Sequence, residues 1–365
     1  MKQILLLSRV NTTNLGDQLI GRSMMTLFSP LGEVTQGDVS HSVRNKIIRC
    51  DELISKYNGY NGSDLNNLSC PPKNTMGGGK SLIVRYLQKI IHPKTKNIKW
   101  LKSNYSIFKV AIRKKFDIIV IGGGELISPS FAYPIYIWSL IIKFFQKESK
   151  LVLYGVGVTE CANNKERSRL ARIVNLSDSV YVRDELSRNY MKRLYNRESI
   201  EISDVAFIND FDYLGERIYS LYGLTTIERI KKHNVLQLSE NEYFEFTYNE
   251  LCQLTKEDEY KLFYTTQEDC EVCAKFTRYC QIKHGCSFDI VRVKDLDSLI
   301  TMVQKANVVY SPRMHGCILA QLSGGDVHPI LISSKMKSYK DKYLNEFNIL
   351  QAKTNLIETV SNIQI

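Results

Sequence analysis

The stretch Val308-Val309-Tyr310-Ser311-Pro312-Arg313-Met314-His315-Gly316 decides how the rest of the chain is read. Its apolar start makes a short buried strand, Ser311-Pro312 ends it, and the small residues of 317–323 continue as a helix. Arg313 and His315 therefore stand at a helix amino terminus, where free backbone amides and the helix dipole favour an anion. A lone His is usually structural. An always-charged Arg with a titratable His two residues on, in a loop at a strand end, points instead to chemistry.

The same alternation of apolar strand and helix runs along the whole sequence, with strands expected at 4–7, 117–121, 151–156, 179–182, 234–238, 261–264, 289–293, 308–310 and 330–332. This pattern predicts an α/β protein with parallel sheets. It weakens between Ile202 and His233, around Asn209-Asp210-Phe211-Asp212, and a fresh series starts at Val235, so a domain boundary belongs there. The expected domains are 1–210 and 211–345, with 346–365 packing back on the first. The irregular region from Gly32 to Gly79 reads as an insertion or long loops. Two α/β domains facing a cleft place ligands beyond the carboxyl ends of their strands.

With 365 residues, 44% of them hydrophobic and 24% charged, the chain has the composition of a globular protein of about two domains. No apolar run reaches the length of a membrane span, and polar Ser8, Arg9 and Asn11 cut short the apolar start, so a cytoplasmic protein without a signal peptide is expected. Nine scattered cysteines suit reduced thiols. The net charge of +11 is localised: 65–116 holds twelve Lys or Arg and no acid, and the other 313 residues carry 37 basic against 38 acidic. That segment also carries apolar and aromatic residues, such as Trp100, Tyr105 and Phe108, which suits an anionic membrane surface or phosphates as readily as a solvated basic face. No nucleic-acid-binding module accompanies it, and nucleic acid is not expected as a partner.

Several other constellations stand out. Asn14-Leu15-Gly16-Asp17 follows the first strand; Asn14 or Asp17 either caps the next helix or aims a polar group at a sugar hydroxyl. Gly122-Gly123-Gly124-Glu125 ends another strand, where glycines allow close backbone approach or merely a tight turn. Arg183, in Val182-Arg183-Asp184-Glu185, is placed for a carboxylate or phosphate, or for a salt bridge to its acidic neighbours. Gly77-Gly78-Gly79-Lys80-Ser81 lacks the earlier glycine and the strand of a nucleotide-binding loop, since position 74 is Asn. Cys270, Cys273 and Cys280 share one helix face and read as small apolar residues ahead of zinc ligands; no metal is expected.

Taken in order, Asn14-x-Gly16-Asp17, Gly122-Gly123-Gly124, Val182-Arg183-Asp184 and Ser311-x-Arg313-x-His315-Gly316 resemble the polysaccharide pyruvyltransferase family over nearly the full chain. The resemblance implies a GT-B-like pair of Rossmann-type domains, phosphoenolpyruvate as co-substrate without another cofactor, and a cell-envelope saccharide as acceptor, such as capsule or O-antigen or a lipid-linked precursor. It implies a cyclic ketal as product, with release of phosphate. On that basis Arg183, Ser311, Arg313, His315 and Gly316 bind the donor. Asn14, Gly16, Asp17, Gly122, Gly123, Gly124 and Glu125 line the acceptor side, and catalysis falls to His315, Arg313 and Asp17. The basic insertion would meet an anionic membrane at the cytoplasmic face; a homo-oligomer stays open. Tyr264-Thr265-Thr266-Gln267-Glu268-Asp269 and Gln237-Leu238-Ser239 lack the basic residues expected at those loops. A GT-B glycosyltransferase using a nucleotide sugar, or a non-catalytic sugar- or phosphate-binding protein, are the alternatives.

Overall fold

The computed structural model describes residues 1–40, 47–58, 97–211, 215–233, 238–255, 258–345 and 347–363. Among the described residues, ten strands form two sheets in which every pair is parallel. The first contains β1 (Lys2–Ser8), β2 (Gly32–Asp38), β3 (Ile118–Gly122), β4 (Lys150–Val156), β5 (Ser179–Val182) and β6 (Ile200–Glu201), in the order β2-β1-β3-β4-β5-β6. The second contains β7 (Tyr219–Gly223), β8 (Tyr260–Phe263), β9 (Ala306–Ser311) and β10 (Asp326–Pro329), in the order β10-β9-β7-β8. Read from β8, the second order repeats the winding of the first. Both sheets are doubly wound, and the direction of winding reverses between β1 and β3 and between β7 and β9, the places where such folds open a crevice. Helices cover both faces, so β3 is buried at every position and its sequence is a continuous apolar run.

The helices of the described residues connect and cover these strands. They are α1 (Leu15–Phe28), α2 (Cys50–Asn58), α3 (Tyr105–Arg113), α4 (Ala132–Phe145), α5 (Asn164–Leu176) and α6 (Glu185–Tyr195) in the first half. The second half has α7 (Ile227–His233), α8 (Glu240–Leu254), α9 (Gln267–His284), α10 (Leu296–Gln304), α11 (Met314–Leu322) and α12 (Ser334–Tyr343), and α13 (Ile349–Ser361) follows. Among the described residues no helix is long and apolar enough to cross a membrane.

Several stretches differ from the periodicity reading, the two-residue strand β6 at 200–201 among them. Gly32–Asp38, read as insertion or loop, is the edge strand β2; it is largely polar and half exposed, and its pairing with β1 alone defines it. The second sheet begins at Tyr219–Gly223, where the pattern looked weak, because two of its buried side chains are tyrosines and one is a serine. The last strand is 326–329 rather than 330–332, and its edge position leaves Asp326 and His328 exposed. The segment 289–293 contributes one bridge, from Ile290 to Leu262, and no full strand. Residues 234–237 and 59–96, and with them the glycine run at 77–79, lie outside the described residues.

Two segments cross between the halves. Near α2, the Ile48 amide donates to the Lys294 carbonyl at 2.9 Å, and the Tyr57 hydroxyl donates to Glu271 on α9. In return, α13 lies against the first sheet, where the Tyr154 hydroxyl donates to the Leu356 carbonyl at 3.0 Å. Phe28, Tyr154, Leu356 and Val360 share one core with Phe244, Phe276 and Leu319 of the second half. Cys270, Cys273 and Cys280 are buried within that core on α9.

Candidate active site

The first wall of the site is the amino end of α1. The Asn14 side-chain oxygen accepts the Gly16 amide at 3.0 Å, so Asn14 is a helix cap, satisfying a backbone donor that the helix cannot. Asp17, in the first turn, is buried and its Oδ2 lies 2.7 Å from Arg9 Nη1. The Leu15 amide reaches across to the Thr265 carbonyl at 2.8 Å, joining this helix start to the second half.

The glycine triplet forms the turn after β3. Gly123 and Gly124 have φ of +73° and +71°, a conformation that L side chains rarely adopt, and a Cβ on Gly123 would fall 1.9 Å from Ile20 Cγ2. The turn is thus pressed onto α1. Glu125 emerges from it and accepts hydrogen bonds from Arg183 Nη2 at 3.1 Å and from Lys335 Nζ at 3.3 Å. It belongs to a cation cluster, although its reading from the motif was as an acceptor-side residue.

Arg183 follows β5, with its side chain 5% exposed and its Nε donating to Asp184 Oδ2 at 2.9 Å. Asp184 also caps α6 by accepting the Ser187 amide. The salt bridge anticipated as the plain alternative is therefore present. Nη1 is nonetheless buried without a hydrogen-bond partner among the described residues. Gly157 makes room for this guanidinium: a Cβ there would lie 2.8 Å from Arg183 Nη2.

On the opposite wall, Ser311 Oγ accepts the Arg313 amide and a Cβ on Gly316 would lie 2.6 Å from that same oxygen, so Ser311 and Gly316 shape the turn into α11. Arg313 directs Nε and Nη2 at the two oxygens of Asp269, at 2.8 and 2.6 Å, and Asp269 is fully buried. Thr225 donates to the same carboxylate, and the Asp269 amide is capped by Thr266. The fork-to-fork geometry holds Arg313 rigidly within its own half. Arg183 and Arg313 are each held by carboxylates, and neither is a free cation facing the other.

His315 lies between the halves. A Cβ on Gly16 would be 2.5 Å from His315 Nδ1, so the absence of a side chain at position 16 is what lets the imidazole sit against α1. On the other side its Nε2 lies 3.6 Å from Asp204 Oδ2 and makes no hydrogen bond among the described residues. Asp204, 2% exposed, accepts the Ala206 amide. Two members of this cluster, Asp204 and Lys335, carry no local motif. Their signal in the sequence was only their position, before a short buried turn and in the first turn of α12.

Electrostatics sharpen the picture. Burial opposes ionisation of Asp204, but His315, Arg183 and the Ala206 amide together hold its carboxyl well below the usual carboxylate range. Lys335 drives Glu125 the same way, against burial and with help from Arg183. Lys335 itself is pushed down, by burial first and then by Arg183, with Glu125 and Asp204 acting the other way.

The cavity lined by Arg183, Asp204, Met314, Lys335 and Tyr343 measures about 10 Å³. A larger one, about 460 Å³, opens between α7, α8 and α9, and its walls set Glu228, Glu240, Glu268 and Glu271 against Lys231 and Lys275. Its excess of carboxylates disfavours a phosphate.

A cleft between two parallel sheets with an Arg–His–Lys cluster at its carboxyl edges meets the sequence profile of polysaccharide pyruvyl transferases over residues 14–333. This chain belongs to the polysaccharide pyruvyl transferase family. No match was found among curated proteins. Among solved structures, the Methanocaldococcus jannaschii UDP-GlcNAc 2-epimerase in complex with UDP-GlcNAc and UDP is similar at 11% identity, with a TM-score of 0.50 and 99% of each chain covered. A glycosyltransferase from Rickettsia africae is similar at 11% identity and a TM-score of 0.45, over 99% of this chain and 93% of that one. The first of these likenesses concerns fold alone. The pyruvyl transferase architecture here is GT-B-like, two Rossmann-type units on either side of a cleft.

Proposed function

We propose that this polysaccharide pyruvyl transferase moves the pyruvyl group of phosphoenolpyruvate onto two hydroxyls of a saccharide acceptor, forming a cyclic ketal and releasing phosphate. The observation that carries the reading is the buried Arg183 Nη1 and His315 Nε2, two polar atoms on opposite walls with no hydrogen-bond partner among the described residues, beside Lys335. A buried guanidinium N–H of this kind calls for an acceptor, and a carboxylate or phosphate oxygen makes the strongest. A carboxylate-phosphate donor supplies both kinds of group.

In this reading Arg183 and Lys335 hold the donor, and Asp204 orients the His315 imidazole. His315 delivers a proton to the methylene carbon, and C2 becomes electrophilic. A first hydroxyl adds to C2, the C2–O bond to phosphate breaks, and a second hydroxyl closes the ring. The two hydroxyl protons leave to a base, one of them restoring His315 and the other going to phosphate. Asp17 is the candidate base on the acceptor side, buried beside Arg9 at the start of α1.

Thermal denaturation with phosphoenolpyruvate, UDP, CMP and inorganic phosphate at matched ionic strength tests the donor. A selective rise with phosphoenolpyruvate that disappears in Arg183→Ala supports the reading, and phosphate release with a panel of saccharides then identifies the acceptor. A rise with a nucleotide alone would overturn it in favour of a nucleotide-sugar enzyme.

A further inference from the structure

The described part of the basic segment and the end of α4 form one surface. Helical hydrogen bonding runs through Asn104, whose amide donates to the Trp100 carbonyl and whose carbonyl accepts the Phe108 amide, so 97–113 winds as a nearly continuous helix. Trp100, Phe108 and Ala111 face the core. The opposite side carries Lys102, Lys109 and Arg113 at helical spacing, all exposed. The carboxyl ends of α3 and α4 are tied together: Gln146 Nε2 donates to the carbonyls of Ala111 and Lys114, and Lys115 Nζ donates to the Phe145 carbonyl. Lys143 and Lys147 extend the cations beside this junction.

Large apolar side chains share the surface. Tyr105 is 68% exposed, Phe144 61%, Ile112 44% and Phe145 43%. Packing explains none of these exposures, since Phe108 and Trp138 already fill the contact between α3 and α4. Elsewhere on the described surface such residues are mostly scattered, which is unremarkable for any protein. Here they cluster, ringed by cations. The nearby exposed acids are Asp117, which accepts the Gln3 amide, Glu148, and Glu33, which accepts from Lys114 at 3.1 Å.

We infer that this face docks on an anionic lipid bilayer, with Phe144, Phe145, Ile112 and Tyr105 entering the headgroup region and the lysines and arginine meeting lipid phosphates. Charge complementarity selects the anionic surface, and the unpaired aromatic side chains select a bilayer over nucleic acid, which would meet the cations and leave two phenylalanines in water. The inference does not depend on the reaction proposed above. The face lies toward the amino ends of β3 and β4, about 17 Å from the cleft along the five residues of β3.

The test is cosedimentation of the full chain with vesicles of phosphatidylcholine alone or with about three in ten lipids phosphatidylglycerol, at low and high salt. At least about tenfold tighter binding to the anionic vesicles is expected at low salt. Lys109→Glu with Arg113→Glu and Lys143→Glu should abolish that preference. Phe144→Ser with Phe145→Ser should remove the binding that survives high salt; all these positions are exposed, and circular dichroism checks that the variants fold. Equal binding to both vesicle types, no effect of charge reversal, or binding to a DNA duplex as tight as to anionic vesicles would overturn the inference.

Discussion

Arg183 and Arg313 are the two arginines that the motifs singled out, and the structure treats them differently. Arg313 commits a full fork to Asp269, itself buried and held by Thr225 and Thr266, all within the second half. Arg183 is held by Glu125 and Asp184 and keeps Nη1 buried without a hydrogen-bond partner among the described residues. A motif arginine can thus build a wall or act from it. The difference is set by the carboxylates that surround each guanidinium, which no local spacing announces.

The largest effect should come from the group between them. His315→Ala is expected to lower kcat by about 100- to 10,000-fold, the usual share of a general acid–base group, with donor affinity largely retained in a binding assay. Near-normal turnover would remove His315 from the chemistry. Next, Arg313→Ala leaves Asp269 buried and uncompensated and should cost on the order of 3–5 kcal/mol of stability, read as a fall in thermal midpoint. Arg183→Ala should instead raise the phosphoenolpyruvate KM by about tenfold or more, because its carboxylate partners are less deeply buried. Interchanged outcomes for the two variants would break the comparison.

Gly16→Ala should act more gently but tellingly. Its Cβ would press on the imidazole, displacing His315 from Asp204, and turnover should fall by about tenfold with little change in thermal midpoint. The smallest effect concerns pH. Asp204 is depressed below its ordinary value of about 3.9, so its contribution to stability is fully present above that pH and is lost as pH falls through the folded value. The difference in thermal midpoint between the native chain and Asp204→Asn should therefore be constant at neutral pH and shrink below about pH 4.

The sequence was most readable where a residue's role is local. Strands such as 118–122 show as apolar runs because both faces are covered, and the amino ends of α1 and α11 show as turn residues followed by helix. The edge strand β2 and the aromatic strand β7 were obscure because half-exposure or tyrosine content breaks the pattern. At the site, Arg183, Arg313 and His315 were visible from type and position. Their partners Asp204, Asp269 and Lys335 come from other elements brought together only by folding, and a single chain offers no short-range sign of such pairing. Gly16 was singled out for an acceptor, whereas the structure gives it a contact with His315.

The exchanged segments have a kinetic consequence. With α2 laid on one half and α13 on the other, and with Lys335 to Glu125 and Leu15 to Thr265 bridging between, the halves are latched over a cavity far smaller than any substrate. For a ligand that enters only while the latch is open, the apparent affinity is the intrinsic affinity scaled by the fraction of time the halves spend apart. Loosening either crossing segment would admit substrate more readily and hold the assembled site less well, trading a lower KM against a slower turnover.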